Sequence, residues 1–276
     1  MTGPLTIRSL RSDADYLQCV DLQRATWGED YEELVPPTVL KVTQKIGGVA
    51  AGAFDPEDVM LGFVFGMAGV RSGNLIHWSD MLAVRESARD RGVGQRLKEF
   101  QRAAARAVGA RTMYWTYDPL VARNAHMNFN RLGVKVDEYV ENMYGDSSSD
   151  LHRGLGTDRF IVAWPLDGAS GLGTIAYPAG ASGDARNAPV LNADSRVPSA
   201  EDLAATGTPA TLRVEIPLDI VRLRDAAPAL AARWRASTRA AFQWALGSGY
   251  GVARFVTDPA SDRGWYVMTR VGADAG

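Results

Sequence analysis

The chain has 276 residues, 46% hydrophobic and 22% charged, the make-up of a globular protein with room for one domain and a large extension. A formal net charge of −2 gives no electrostatic reason to bind nucleic acid or a membrane. One cysteine rules out an intrachain disulfide and agrees with a reducing cytoplasm, and with only three histidines no metal site is expected. No apolar run approaches the roughly 18 residues of a membrane span, and the N-terminus lacks the basic and apolar regions of a signal peptide.

Residues 5–10 alternate apolar and polar side chains and predict a first strand. Ser12 and Asp13 cap a helix carrying Tyr16, Cys19, Val20, Gln23 and Trp27, which Gly28 ends. An acidic stretch leads to Pro36-Pro37, which opens a short helix stopped by Gly47-Gly48. Residues 49–54 and 59–68 read as antiparallel strands around the turn Asp55-Pro56-Glu57-Asp58, and 74–84 as the next strand. A polar turn then reaches Arg89-Asp90-Arg91-Gly92-Val93-Gly94. After it comes a helix over 95–108, with Leu97, Phe100, Ala104 and Val108 on one stripe.

Residues 111–117 form a strong strand that Asp118-Pro119 breaks, and 120–132 a helix ending at Gly133. Strands follow at 134–143 and 158–165, with a Ser- and Asp-rich loop between. Over 167–207 the composition turns to Gly, Ala, Ser and Pro, which suggests an irregular connection. A strand at 212–218, a helix capped by Asp225 and running to about Leu246, and a hairpin of 250–256 with 264–270 complete the chain. A β-α-β-β tail of about 65 residues is small to stand alone, so it is expected to pack on the core or on a partner chain, a homodimer included.

A strand, a glycine turn and a helix make an anion site. Glycine lets the backbone approach, and the unpaired N–H groups of the first helical turn face the ligand with the helix dipole behind them. Arg89 and Arg91 add charge suited to phosphate. A dinucleotide fingerprint would need a third glycine where Leu97 stands, and no Gly-Lys-Ser/Thr follows as in an NTPase loop. What remains, Arg-x-x-Gly-x-Gly after Leu-Ala-Val, resembles the acyl-CoA-binding motif of the GCN5-related N-acetyltransferase (GNAT) superfamily. The order β-α-α-β-β-β-α-β-α-β-β over the first 165 or so residues is that family's as well.

The resemblance implies an α/β (α+β) GNAT fold: a mixed, mostly antiparallel sheet splayed between its fourth and fifth strands, with a smaller C-terminal β-α-β-β extension. The expected division is a catalytic domain at 1–166, a connection at 167–209 and the extension at 210–276. The co-substrate would be acetyl-CoA or another acyl-CoA, without a metal. Backbone of Leu82, Ala83 and Val84 would hold pantetheine, and Arg89, Arg91, Gly92, Val93, Gly94 and Gln95 the diphosphate. The phrases Trp115-Thr116-Tyr117-Asp118-Pro119-Leu120, Arg123-Asn124-Ala125 and Thr157-Asp158-Arg159-Phe160 resemble a GNAT subgroup with a tail of this kind, some members of which are linked to N-succinylation of amino acids.

Acyl transfer to an amine needs a base, because an alkylammonium of pKa about 10.4 does not attack. Asp80 shares a strand face with Leu82 and Val84 by the period of two and is the candidate base; the alternative is an aspartate bonded to a neighbouring loop. Several family members carry His or Glu here instead. His77 faces the other way and is expected to be a satisfied structural histidine, while Trp78 would wall the acceptor site. Many family members place an acid, tyrosine, where Phe129 stands, so Tyr117 and Tyr144 become the remaining candidates. Asn124 and Asn128, at i and i+4, face one side of their helix and suit pantetheine amides or the diphosphate. Trp27 and Tyr31 lie where the acceptor site is often shaped. Arg159, and Arg235 with Arg239, are the choices to clamp a substrate carboxylate. Three readings stand: an N-acyltransferase acting on a small primary amine in a ternary complex, a non-catalytic acyl-CoA-binding module whose tail engages a partner, or a peptide or protein N-acetyltransferase, which would need an open acceptor groove.

Overall fold

In the computed structural model, which describes residues 5–29, 31–145, 155–167 and 187–271, the first helix begins where its cap demands. The Ser12 hydroxyl accepts from the Asp15 N–H and the Asp15 carboxylate accepts from the Ser12 N–H, closing a capping box at the start of α1 (Asp13–Trp27). Gly28, at a φ of 117°, ends it. After β1 (Thr6–Ser9) and α1 come α2 (Pro37–Lys45), β2 (Val49–Phe54), β3 (Met60–Arg71), β4 (Asn74–Val84), α3 (Val93–Ala107) and β5 (Thr112–Tyr117). There follow α4 (Ala122–Ala125), which runs on as a π-helical stretch His126–Leu132, then β6 (Lys135–Val140) and β7 (Arg159–Pro165). The tail holds α5 (Ala200–Ala205), β8 (Thr211–Pro217), α6 (Ile220–Ala226), α7 (Pro228–Gly247), β9 (Tyr250–Asp258) and β10 (Arg263–Arg270).

The strands form a seven-stranded sheet in the order β1-β2-β3-β4-β5-β7-β6 and a three-stranded sheet β8-β10-β9. The pairs β1–β2, β2–β3 and β3–β4 are antiparallel and β4–β5 is parallel. This is the fold that the resemblance implied. By packing, residues 5–115 with 163–167 make one unit, and 116–145, 155–162 and 187–271 another.

In the first unit the sheet carries an apolar layer on each face. On one, Tyr16, Cys19, Leu22 and Leu40 of the first two helices meet Phe63, Phe65, Met81 and Ala83. Burial pushes the Cys19 thiol up to about 12, so it serves as a small hydrophobe. On the other, Val93 and Leu97 of α3 meet Ala51, Val64, Leu82 and Val84. The face that α3 buries differs from the expected stripe. Val93, Leu97, Lys98, Gln101, Arg102 and Ala105 are buried, whereas Val108 is 47% exposed. The helix starts at Val93, two residues early, and its inward face takes in three polar side chains.

In the second unit Tyr117, Phe129, Phe160, Phe242 and Tyr266 interlock edge-to-face, with Phe160 and Phe242 centroids 4.7 Å apart. Two expectations fail here. Asp225 lies in the last turn of α6 and caps nothing. Asp219 is the N-cap, accepting from the Arg222 N–H, and α7 starts afresh with Pro228 in its first turn. The connection expected to be irregular contains α5, closed by its own Ser199–Asp202 capping box.

Candidate functional site

The site begins where β4 leaves the sheet. Its parallel ladder to β5 consists of Ile76–Thr112, His77–Met113 and Trp78–Tyr114 and goes no further. Beyond it β4 stays paired to β3 as far as Val84–Gly62, so residues 79–84 keep one hydrogen-bonded edge and turn an open edge toward the diverging β5. This is the splay that the resemblance implied.

Past Val84 a 3-10 turn (Glu86–Ala88) leads to Asp90 and Gly92, both in the left-handed region at φ 60° and 72°. A Cβ on Gly92 would meet nothing within 4 Å, so conformation rather than crowding calls for glycine. Gly92 is the N-cap of α3, without a side-chain cap and without an acidic residue in the first turn. The first intrahelical bond is Arg96 N–H to Gly92 O, so the N–H groups of Val93, Gly94 and Gln95 stand ahead of the ladder. That chemistry fits a diphosphate. Arg89 and Arg91 are exposed beside it, the Arg89 Nε donating to Val84 O at 3.4 Å. An open recess of about 580 Å³ adjoins the turn, lined by Leu22, Ala25 and Thr26 of α1 and by Val84 to Ser87 and Arg89.

Asp80 sits differently from the simple alternation. The β3–β4 register pairs Phe65 with Met81 and Gly66 with Ser79, which leaves Asp80 as the extra residue of a bulge. Ser79 accepts from Lys98 of α3, and Leu82 and Val84 pack on α3, whereas Met81 and Ala83 pack on α1 and α2. Asp80 therefore does not share a face with Leu82 and Val84. Its carboxylate is exposed yet set within the mass of the protein, which raises its pKa above the usual range. The Glu33 charge adds to the rise, and a hydrogen bond from Trp78 opposes it.

Trp27 and Tyr31 stack with centroids 5.7 Å apart, Trp27 meets Phe63 edge-on, and the Tyr31 hydroxyl donates to Glu33 at 3.0 Å. Trp78, Asp80, Glu33, Trp27 and Tyr31 thus all belong to the first unit.

His77 is buried opposite Asp80, but the expectation of a satisfied histidine fails: neither ring nitrogen has a hydrogen-bond partner. Burial, and then the Lys98 charge, lower its pKa to about 4. Lys98, to which sequence reasoning gives no role, is buried with its Nζ 2.7 Å from Ser79 Oγ and 4.0 Å from the Trp115 ring centroid. The signal was legible: Lys98, Gln101 and Arg102 stand at i, i+3 and i+4 beside Leu97, polar positions on an inward face.

The second unit holds the remaining choices. Tyr117 is a core residue, its hydroxyl 3.4 Å from that of Tyr266 and its pKa raised by burial. Phe129 packs edge-on to both, Asn128 is buried rather than solvent-facing, and Asn124 is half-buried. Tyr144 is 41% exposed, with its hydroxyl 3.0 Å from Thr116 Oγ1 and the Arg159 guanidinium over its ring. Arg159 is buried 3.9 Å from Asp118, to which Arg235 donates at 2.5 Å. Arg239 pairs with Asp158 and Glu141. The arginines chosen to clamp a substrate carboxylate thus already hold carboxylates of the chain itself.

A strand with an open edge runs into an uncapped, glycine-started helix, the arrangement that the resemblance implied. A scan against protein-family models finds no match, and a search of curated proteins finds none either. Among solved structures the chain is similar to an acetyltransferase of the GNAT family from Streptococcus pneumoniae, at 18% identity over 59% of this chain and 99% of that one, TM-score 0.47. It is also similar to yncA of Salmonella typhimurium, a putative acetyltransferase with its cofactor acetyl-CoA, at 16% identity over 60% and 96%, TM-score 0.46. A third is the ribosomal-protein-S18-alanine N-acetyltransferase of Escherichia coli, at 16% identity over 63% and 99%, TM-score 0.45.

Proposed function

We propose that this protein is an acyl-CoA-dependent N-acyltransferase whose acceptor is a small primary amine, an amino acid among the candidates, and whose donor is acetyl- or succinyl-CoA. One conjunction carries the reading: an uncapped helix start after left-handed Gly92, continuous with a strand edge that has lost its partner. The co-substrate brings an activated thioester carbonyl. Main-chain N–H groups of Val93, Gly94 and Gln95 hold its diphosphate, with Arg89 and Arg91 alongside. The open edge at Leu82, Ala83 and Val84 holds the pantetheine amides and gives an N–H to the carbonyl oxygen as charge develops there.

Asp80 takes the proton from the acceptor ammonium, directly or through water, and its raised pKa makes it a better base than an ordinary carboxylate. Trp27, Tyr31 and Trp78 wall the acceptor, while Asp80 and Glu33 favour a cation between them. The amine attacks in a ternary complex and no covalent enzyme intermediate forms. A thiol of pKa about 8.5 leaves with little help near neutrality, so Phe129 in place of an acid is tolerated.

The test is thiol release from acetyl-CoA and succinyl-CoA across a panel of amines. Release is expected with at least one amine, and Gly94→Glu, which puts a carboxylate into the cradle, raises the donor KM at least tenfold. Asp80→Asn lowers kcat by about 10²–10⁴. In the wild type, activity climbs as pH passes upward through the raised Asp80 pKa, because the carboxylate is the active form; in Asp80→Asn that climb is gone. Donor binding without release from any amine favours the non-catalytic module.

A further inference from the structure

Where β4 and β5 part, the first position on each arm is Ser79 and Trp115, one step past the last pair Trp78–Tyr114. Lys98 of α3 touches both: its Nζ donates to Ser79 Oγ at 2.7 Å and lies 4.0 Å from the Trp115 ring centroid. A cation therefore sits beneath the apex of the V formed by the two strands. Lys98 is 2% exposed, and burial alone shifts its pKa, with no carboxylate among the described residues offsetting the cost.

Two more buried polar side chains surround the same spot without being used. His77 Nδ1 and Nε2, and Gln101 Nε2 and Oε1, have no hydrogen-bond partner. A Cβ on Gly66 would stand 2.5 Å from His77 Nε2 and 2.7 Å from Gln101 Nε2, so the two polar ends meet over that glycine. Buried polar groups in folded proteins are as a rule hydrogen-bonded, so unsatisfied ones near a buried ammonium that has no counter-ion call for a partner from outside the chain. A small anion with several acceptor oxygens answers the donors among them, the Lys98 ammonium, the Gln101 amide N–H and one His77 ring N–H.

The route to that spot is set by the strands. From Val84, beside the diphosphate cradle, to Ser79 at the apex is five residues, about 16 Å of extended strand. An arm anchored at the cradle and laid along the open edge ends its run at the apex with its acyl group. We propose that Lys98, with His77 and Gln101, receives a carboxylate borne on the far end of the acyl group, so that the preferred donor is a dicarboxylic acyl-CoA. This rests on the acyl-CoA reading above and decides which donor it takes. The incoming carboxylate replaces the missing counter-ion of Lys98 and accepts from the Gln101 amide and a His77 ring N–H.

Calorimetric titration with CoA, acetyl-CoA and succinyl-CoA, without any amine, tests it. The wild type is expected to bind succinyl-CoA at least tenfold more tightly than acetyl-CoA, and Lys98→Met to bring that ratio close to one. Equal affinities in the wild type, or an advantage that survives in Lys98→Met, overturn the inference while leaving the acyl-CoA reading intact. If none of the three ligands binds, the acyl-CoA reading itself fails and this inference goes with it. Should Lys98→Met not fold, Gln101→Leu provides the same ratio, expected to fall severalfold; an unchanged ratio overturns the inference.

Discussion

Two groups of buried polar side chains, one in each unit, are built on opposite principles. In the second unit Asp118 accepts from Arg235 at 2.5 Å and lies 3.9 Å from Arg159, while Asp158 accepts from Arg239 at 2.7 and 2.9 Å and from the Tyr139 hydroxyl at 2.5 Å. Every buried acid there meets a cation, and both carboxyls are held below the usual range against the pull of burial. In the first unit Lys98, His77 and Gln101 share a single hydrogen bond to Ser79 and no acid. The first arrangement joins each acid to a cation of the chain, although Arg235 Nη1 is left without a hydrogen-bond partner. The second leaves four side-chain atoms of His77 and Gln101 without partners, and burial makes that costly. What separates the two groups is the counter-ion: carboxylates close the one, and the other has none.

The sharpest way to break this contrast is to remove one partner from each group. Asp118→Ala strands the Arg235 charge in the interior and is expected to cost about 3–5 kcal/mol in urea denaturation. Lys98→Met should do the reverse, adding on the order of 1–4 kcal/mol, because a buried ammonium with no carboxylate beside it gives way to an apolar side chain of similar volume. A loss of stability there would mean that Lys98 is already satisfied. Tyr139→Phe removes one hydrogen bond to a charged group, with an expected loss of about 1.5–3 kcal/mol in the same measurement.

The smallest effect is a slope. Lys98 is lowered to about 7 and His77 to about 4, both below their unfolded values of 10.5 and 6.5. The unfolded chain therefore binds more protons between each pair of values, and stability rises with pH there: from 4 to 6.5 through His77, and from 7 toward 10 through Lys98. Each contributes about 1.4 kcal/mol per pH unit. Lys98→Met should flatten the alkaline rise in a melting series and leave the acidic one in place.

Much of this was legible in the residues. The bounds of β2 and β4, and the start and stop of α1, follow from strong local signals: an apolar run, a Ser12 cap with its Asp15 reply, a glycine stop. The turn ahead of α3 could be read because its glycines announce a left-handed residue before a helix. Three features could not be read in the same way. The bulge at Asp80 has no glycine to announce it and exists only in the β3–β4 register. An apolar stripe alone does not mark the inward face of α3, because half of what it buries is polar, and only the spacing of Lys98, Gln101 and Arg102 beside Leu97 hints at it. The cap at Asp219 lost to Asp225 because both stand ahead of helical sequence, and only the break at Ala227 separates the two helices. The small helix α5 did carry its signal, Ser199-x-x-Asp202, inside a composition that discouraged looking for it.

The one extra residue in β4 also governs how this strand tolerates change in length. Upstream of Asp80 the odd-numbered side chains look to α3; downstream they look to α1 and α2. Deleting Asp80 would restore strict alternation, and a strand slipped by one residue exchanges its two sides. Either His77 and Ser79 would swing away from Lys98, or Met81 and Ala83 would leave their apolar layer. A single-codon deletion here should therefore be far harsher than any substitution at the same position.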